Sequence, residues 1–321
     1  AAQLQARSYA INSGRISVQL DNPGALQASP GLVLTGSFVD GFSGADSLAL
    51  LSYSTIDLYG NGSIGGGLKS FTLNSGEIRG FNQSGGGVTI SADSLTLGNK
   101  AGVSGPGSIT SSTGTLNFNA SQITLGSGTL AINQFNAVLL NATNVITSRG
   151  TGTLNVQNAL TLSTPLLTGA AQSSRSITAG GVLSVQSSGT TTTAEAGLGT
   201  VLNLTGQNIA LGTSITLPSG SLSVRSTTGD LTVTGSLSVG GTAQAFYDVT
   251  RYTDAGQISL TSDAANVVLA SGSVVDVAAA SGGARAPTGP AASSAAAVPD
   301  GVSGSGITAV ATARGWTGWR H

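Results

Sequence analysis

Phe246, Tyr247, Asp248, Arg251, Tyr252 and Asp254 fall within nine residues and form the densest gathering of chemistry-bearing side chains in this 321-residue chain. Aromatic rings beside a guanidinium and carboxylates suit a sugar, because rings stack on its apolar face while charged groups hydrogen-bond its hydroxyls. Tyr247, Asp248, Arg251 and Tyr252 are therefore the candidate ligand-binding residues. A plainer reading also fits: a loop bulging from the fold, its rings packed on the surface beneath and Arg251 paired with Asp248 or Asp254. That plainer reading is the expected one.

Other chemistries lack their parts. Only two of the thirteen acidic residues are Glu, Glu77 and Glu195, and no two carboxylates are adjacent. Glycan-cleaving enzymes need an acidic cluster as acid and base or as a calcium cradle; pairs such as Asp40 and Asp46 could still converge. The single His, His321, is terminal and leaves a Ser-His-Asp arrangement without a base. The absence of Cys removes thiolate nucleophiles, disulfides and Cys-based metal sites. "GGGL" (65–68) and "GGGV" (85–88) lack the Asp of calcium-binding repeats, and "GNGSIGGG" (60–67) lacks the Lys-Ser/Thr of a phosphate loop. The expectation is a non-enzyme with no catalytic residues, cofactor or metal, whose many serines are surface positions.

Charge points the same way. A formal net charge of −1, with 8% charged residues placed singly, gives no field for nucleic acid. No run approaches the roughly 18 apolar residues of a membrane span, and residues 1–15 lack a signal-peptide core. No Met occurs, so the sequence reads as a mature or excised piece of a longer product.

The elements that must carry any site announce themselves by repetition. "GVTISADSLTLGN" (87–99) returns as "GTLNFNASQITLGSG" (114–128), "GTLNVQNALTLSTP" (152–165) and "GTVLNLTGQNIALGT" (199–213). Each copy opens on two apolar residues flanking a polar one, such as Leu116-Asn117-Phe118, Leu154-Asn155-Val156 and Leu202-Asn203-Leu204. A second pair follows six or seven residues later, such as Ile123/Leu125 and Leu160/Leu162. That is period-2 alternation, two short strands joined by a fixed corner. Strands this short gain stability by stacking coil on coil, so the apolar pairs form internal rows. Helical periodicity is missing, and few Asn-Gly or Asp-Gly hairpin turns occur. The fold class expected is all-β, a right-handed parallel β-helix (β-solenoid), with coils over 16–280 rising to a rod on the order of 60 Å.

Residues 1–15 read as a possible cap or entry segment, with "QARSYAINSG" (5–14) the weak candidate; nothing amphipathic closes the other end. From 281 the alternation stops. Residues 281–321, rich in Ala, Gly, Pro and Ser and holding Trp316 and Trp319, read as a tail or linker.

The coils "GTLNFNASQITLGSG" and "AGLGTVLNLTGQNIALGTSITLPSGSLSV", with the distinctive segment 245–283, resemble the repeat region of large exoproteins of the filamentous haemagglutinin family. The resemblance covers roughly residues 50–283 and matches the shaft of those proteins, not their secretion domain. It implies a rod at the surface of a Gram-negative bacterium, passed through an outer-membrane β-barrel transporter of the two-partner route. Its expected work is adhesion to glycans or proteins, aggregation, or fibre formation by self-association. The alternative is a β-helical polysaccharide-binding or polysaccharide-processing protein. A groove lined by Tyr247, Arg251 and Tyr252 with converging carboxylates would favour that alternative.

Overall fold

The computed structural model describes residues 6–21, 31–36, 39, 41–107, 113–189 and 196–280, and the backbone of 296–297, 302–305 and 308–312. The chain is a parallel β-solenoid of about eight turns, 60% strand and 2% helix. Strands from successive turns pair in parallel, side by side along three faces. The long strands Gly87–Gly98, Thr115–Leu125 and Ala137–Ser148 run round the corner between the first two faces, bending where the register shifts between Ala120 and Gln122. The third face is a separate sheet containing Thr55–Tyr59, Glu77–Phe81, Gly128–Asn133, Thr151–Val156 and Ser174–Ala179.

Alternation places one side of every strand inside. On the first face Val88, Leu116, Val138, Leu160, Leu183, Ile209, Leu231 and Val267 lie opposite one another in succession. None is more than 2% exposed. Each such side chain contributes roughly 1.5–3 kcal/mol by leaving water, and the row has no break at which the rod could part. Leu154 and Leu202 are equally buried, on the third face.

Four copies of one sequence pattern do not occupy one place. Those at 87 and 114 turn from the first face to the second, whereas those at 152 and 199 turn from the third to the first. The repeat is a property of corners, because all faces share one strand grammar. Members of the buried row are accordingly 22 to 36 residues apart in the chain. With about eight turns the stack is about 40 Å long, shorter than coils of 20 residues imply.

The corners also correct the reading of serines as surface groups. Ser52, Ser75, Ser226 and Ser273 are fully buried. The bends leave carbonyls that strand pairing does not reach, and these hydroxyls satisfy them. Ser52 Oγ donates to Thr55 O at 2.7 Å, Ser226 Oγ to Gly229 O at 2.6 Å and Ser273 Oγ to Ala270 O at 2.7 Å.

Both ends of the stack are covered. Ser8–Ser13, inside the expected cap, is an ordinary coil strand paired with Ser47–Ser52. The plug comes from further along: Leu32–Thr35 adds itself outside Ile16–Gln19, and Val39, Phe42 and Ala45 close the interior, with Tyr9 edge-on to Phe42 at 5.0 Å. At the other end Thr308–Thr312, Val302–Ser305 and Ala296–Ala297 lie antiparallel against Gln257–Ser262, Asn266–Leu269 and Val274–Asp276. Trp316, Trp319 and His321 lie outside the described residues, as do Asp40 and Glu195.

Candidate functional site

Tyr247, Asp248, Arg251 and Tyr252 come together on a β-hairpin that leaves the stack between the second and third faces. Ala243–Phe246 pairs antiparallel with Val249–Tyr252, and Tyr247 and Asp248 form the two-residue turn. The root is fixed by Thr253, whose Oγ1 accepts from Thr242 N at 2.8 Å and from Ser219 Oγ at 2.7 Å. The tip is bare. Tyr247 is 107% exposed and Tyr252 47% exposed. The plainer sequence reading expected rings packed on the shaft and a paired Arg251. The Tyr247 ring does not pack on the shaft, the Phe246 side chain lies outside the described residues, and no ion pair joins Arg251 to Asp248 or Asp254 among the described residues.

Tyr247 carries a further signature. Its φ of 54° is left-handed, a conformation that favours Gly or Asn in such turns. A bulky residue there is strained by roughly 1 kcal/mol or more, and the exposed side chain returns nothing to the fold. The hairpin can offer an aromatic tip and a cation to something outside the molecule. Among the described residues no ion pair or hydrogen bond draws Asp248 or Asp254 toward Tyr247, Arg251 and Tyr252.

A second constellation lies on the outside of the third face, where alternation expects solvent. Arg79 donates from Nε to Asp57 Oδ1 at 2.8 Å and from Nη2 to Asp57 Oδ2 at 2.9 Å, and Arg15 Nε lies 3.6 Å from Asp57 Oδ2. The guanidinium also sits 5.2 Å from the centroid of Phe81, which stacks on Tyr59 at 4.7 Å. Burial pulls the Arg79 pKa down, but hydrogen bonding and charge from Asp57 outweigh it and hold the pKa above its usual value.

Beside this cluster, residues 99–107 leave the second face at Gly98 and pass over Gly76 and Glu77 at the edge of the third as a strap. Glu77, fully buried, receives Asn133 Nδ2 at 2.6 Å and the strap's Gly107 N at 3.3 Å. Asn99 holds the strap's start, donating to Val103 O at 2.6 Å and Thr129 O at 2.7 Å. The cluster is internally satisfied and works as a fastening. Its sequence signal was present: "TIDLY" and "EIRGF" put rare charges at outward strand positions one coil apart.

The least expected group is Arg175. Its register partners Leu202, Leu222 and Ile258 point inward, and so does Arg175, only 2% exposed. Gly128 and Gly152, stacked on its other side, leave room for the guanidinium. It donates to the carbonyls of Leu125 at 2.9 Å, Arg149 at 3.3 Å, Gly128 at 3.5 Å and Gly126. Nε has no partner, and burial lowers the pKa to about 10.

A shallow groove of about 370 Å³ runs past Val182, Asn208, Ala210, Asp230 and Thr232 on the first face. The outward rows are short polar side chains, with Asn141 Nδ2 donating to Asn119 Oδ1 of the preceding coil at 3.1 Å. Among the described residues no group of three or more His, Cys, Asp or Glu could hold a metal ion. No family model matches the chain, and no curated protein or solved structure matches it either.

Proposed function

We propose that this chain is a shaft segment of a secreted, adhesin-like surface exoprotein, a stiff spacer that presents contact groups. The observation supporting this most is the hairpin at 243–252, rooted in a rigid stack and ending in a strained, wholly exposed Tyr247. A rod displaying a projecting aromatic tip is built for touching, and many copies on one surface add weak contacts in parallel. Export through a β-barrel transporter belongs to the same proposal, supported by the coil resemblance and by a cysteine-free chain that carries no disulfide to form before passage.

The test is bead attachment. Beads coated with the full chain are expected to bind cell-surface glycan or matrix above uncoated beads. The triple change Tyr247→Ser, Arg251→Ser, Tyr252→Ser should cut that binding at least fivefold with unchanged circular dichroism. Equal binding by the triple variant would reject the hairpin as the contact. New reducing or unsaturated ends released from a polysaccharide panel would instead favour a processing enzyme.

A further inference from the structure

We infer that the last coil carries a self-association surface which the chain's own tail keeps closed. The edges of Gln257–Ser262, Asn266–Leu269 and Val274–Asp276 are where another coil would stack, and they carry none of the usual guards of a free sheet edge. Their six, four and three residues include no Lys, Arg or Pro and one acid, Asp276. What covers them is the tail, with five, four and two residue pairs on the three faces in turn.

The direction of that pairing identifies the second occupant. Every coil-to-coil contact along the stack is parallel, yet the terminal edges accept antiparallel strands on all three faces. A second copy meeting this end to end about a two-fold axis presents the same edges antiparallel, because two identical coils facing each other wind in opposite senses. Head-to-tail stacking is obstructed by Phe42 and the Leu32–Thr35 strand at the opposite end. A net charge of −1 offers little repulsion between copies.

In one chain the tail wins. Only residues 281–295 separate Ala280 from the first tail strand, so its local concentration is on the order of millimolar. A second copy gains access when the tail is pulled away or cut. This inference does not depend on what the hairpin binds.

The native absence of Cys makes the test clean. Ser259 and Val310 are register partners, so Ser259→Cys with Val310→Cys should oxidise to an intramolecular crosslink that migrates as monomer and stays monomeric at 0.5 mM, roughly the local concentration of the tail. The full chain carrying Ser303→Pro and Val310→Pro, which withdraws tail amide groups, should sediment as a dimer of the 31.3 kDa chain at ~50 µM, with strand content retained. Adding Ser259→Lys and Thr261→Lys to that opened form, or adding a peptide of residues 296–312, should return it to monomer. The proposal fails if the Cys pair does not crosslink within one chain. It also fails if the opened form stays folded and monomeric, or if edge lysines leave its dimer intact. Should the proline form lose its strand signal, the unaltered chain cut by protease within 281–295 decides, with a dimer at about 1 mM that the 296–312 peptide disperses as the expected result. No oligomer at 1 mM with or without a chain-opening protease cut in 281–295 overturns the proposal.

Discussion

Arg175 stands directly over Gly152, its register partner in the preceding coil, and its Nη1 lies 2.6 Å from where a Cβ at 152 would be. The glycine is thus half of a two-residue device that lets an arginine lie inside an apolar solenoid. Gly152→Ala should drive its Cβ into the backbone of Gly128, the nearest contact, as well as against the guanidinium, and lower stability by about 1–3 kcal/mol. Urea unfolding followed at 218 nm measures it; an unchanged midpoint would show that both the Gly128 backbone and the arginine have slack.

Arg175→Leu continues the row of Leu202 and Leu222 and should prove far milder than Arg175→Ala, which adds a cavity worth about 2–4 kcal/mol. The pH dependence is informative. The folded pKa near 10 lies below the unfolded value, so burying the cation costs stability at every pH below about 10. That cost shrinks as pH rises above 10 toward the ordinary arginine range. Relative to Arg175→Leu, the unaltered chain should gain on the order of 1 kcal/mol per pH unit above 10, measured by unfolding at pH 9 and 11. A constant difference would mean that the carbonyls hold the proton.

Asp57 and Arg79 should behave as a coupled pair. Asp57→Ala leaves Arg79 buried and unpaired, costing about 3–5 kcal/mol, whereas the double change with Arg79→Met should recover at least half of that loss. Additive single effects in the double-mutant cycle would contradict the geometry.

The strap at 99–107 depends on two side chains. Glu77→Gln or Asn99→Ala should expose it to protease and speed amide exchange at Val103 and Gly107, while core amides such as Leu116 keep their protection. Loss of protection throughout the rod would show that the strap holds up the stack.

Tyr247→Gly should stabilise the chain by about 0.5–1 kcal/mol, since it relieves a left-handed residue whose side chain touches nothing. The same change should weaken bead attachment. A stability gain coupled to lost binding is the mark of strain kept for contact.

How much of this was visible beforehand follows from range. Strand alternation is local, so Leu116, Leu154 and Leu202 could be placed inside from three residues each. Which face each strand joins depends on where the chain leaves the stack, and nothing near residues 99–107 marks that segment as an excursion. The sharing of one grammar by every corner therefore hid the phase of the repeat. Arg175 was illegible for a related reason: its pocket is made by Gly128 and Gly152, each harmless alone and meaningful only when stacked. The hairpin was found as a composition, but its outward projection rests on an antiparallel pairing that residue types alone did not reveal.

Because each turn repeats its neighbour's register without reference to the ends, the molecule is graduated like a ruler. Duplicating residues 138–159 would insert one whole turn between Val138 and its partner Leu160, and every side chain beyond would keep its face. Reach could then change in steps of about 4.8 Å while both closures and the projecting tip stay untouched. A lineage carrying such a chain can tune the distance between two surfaces by copying DNA, with no new side-chain packing to find.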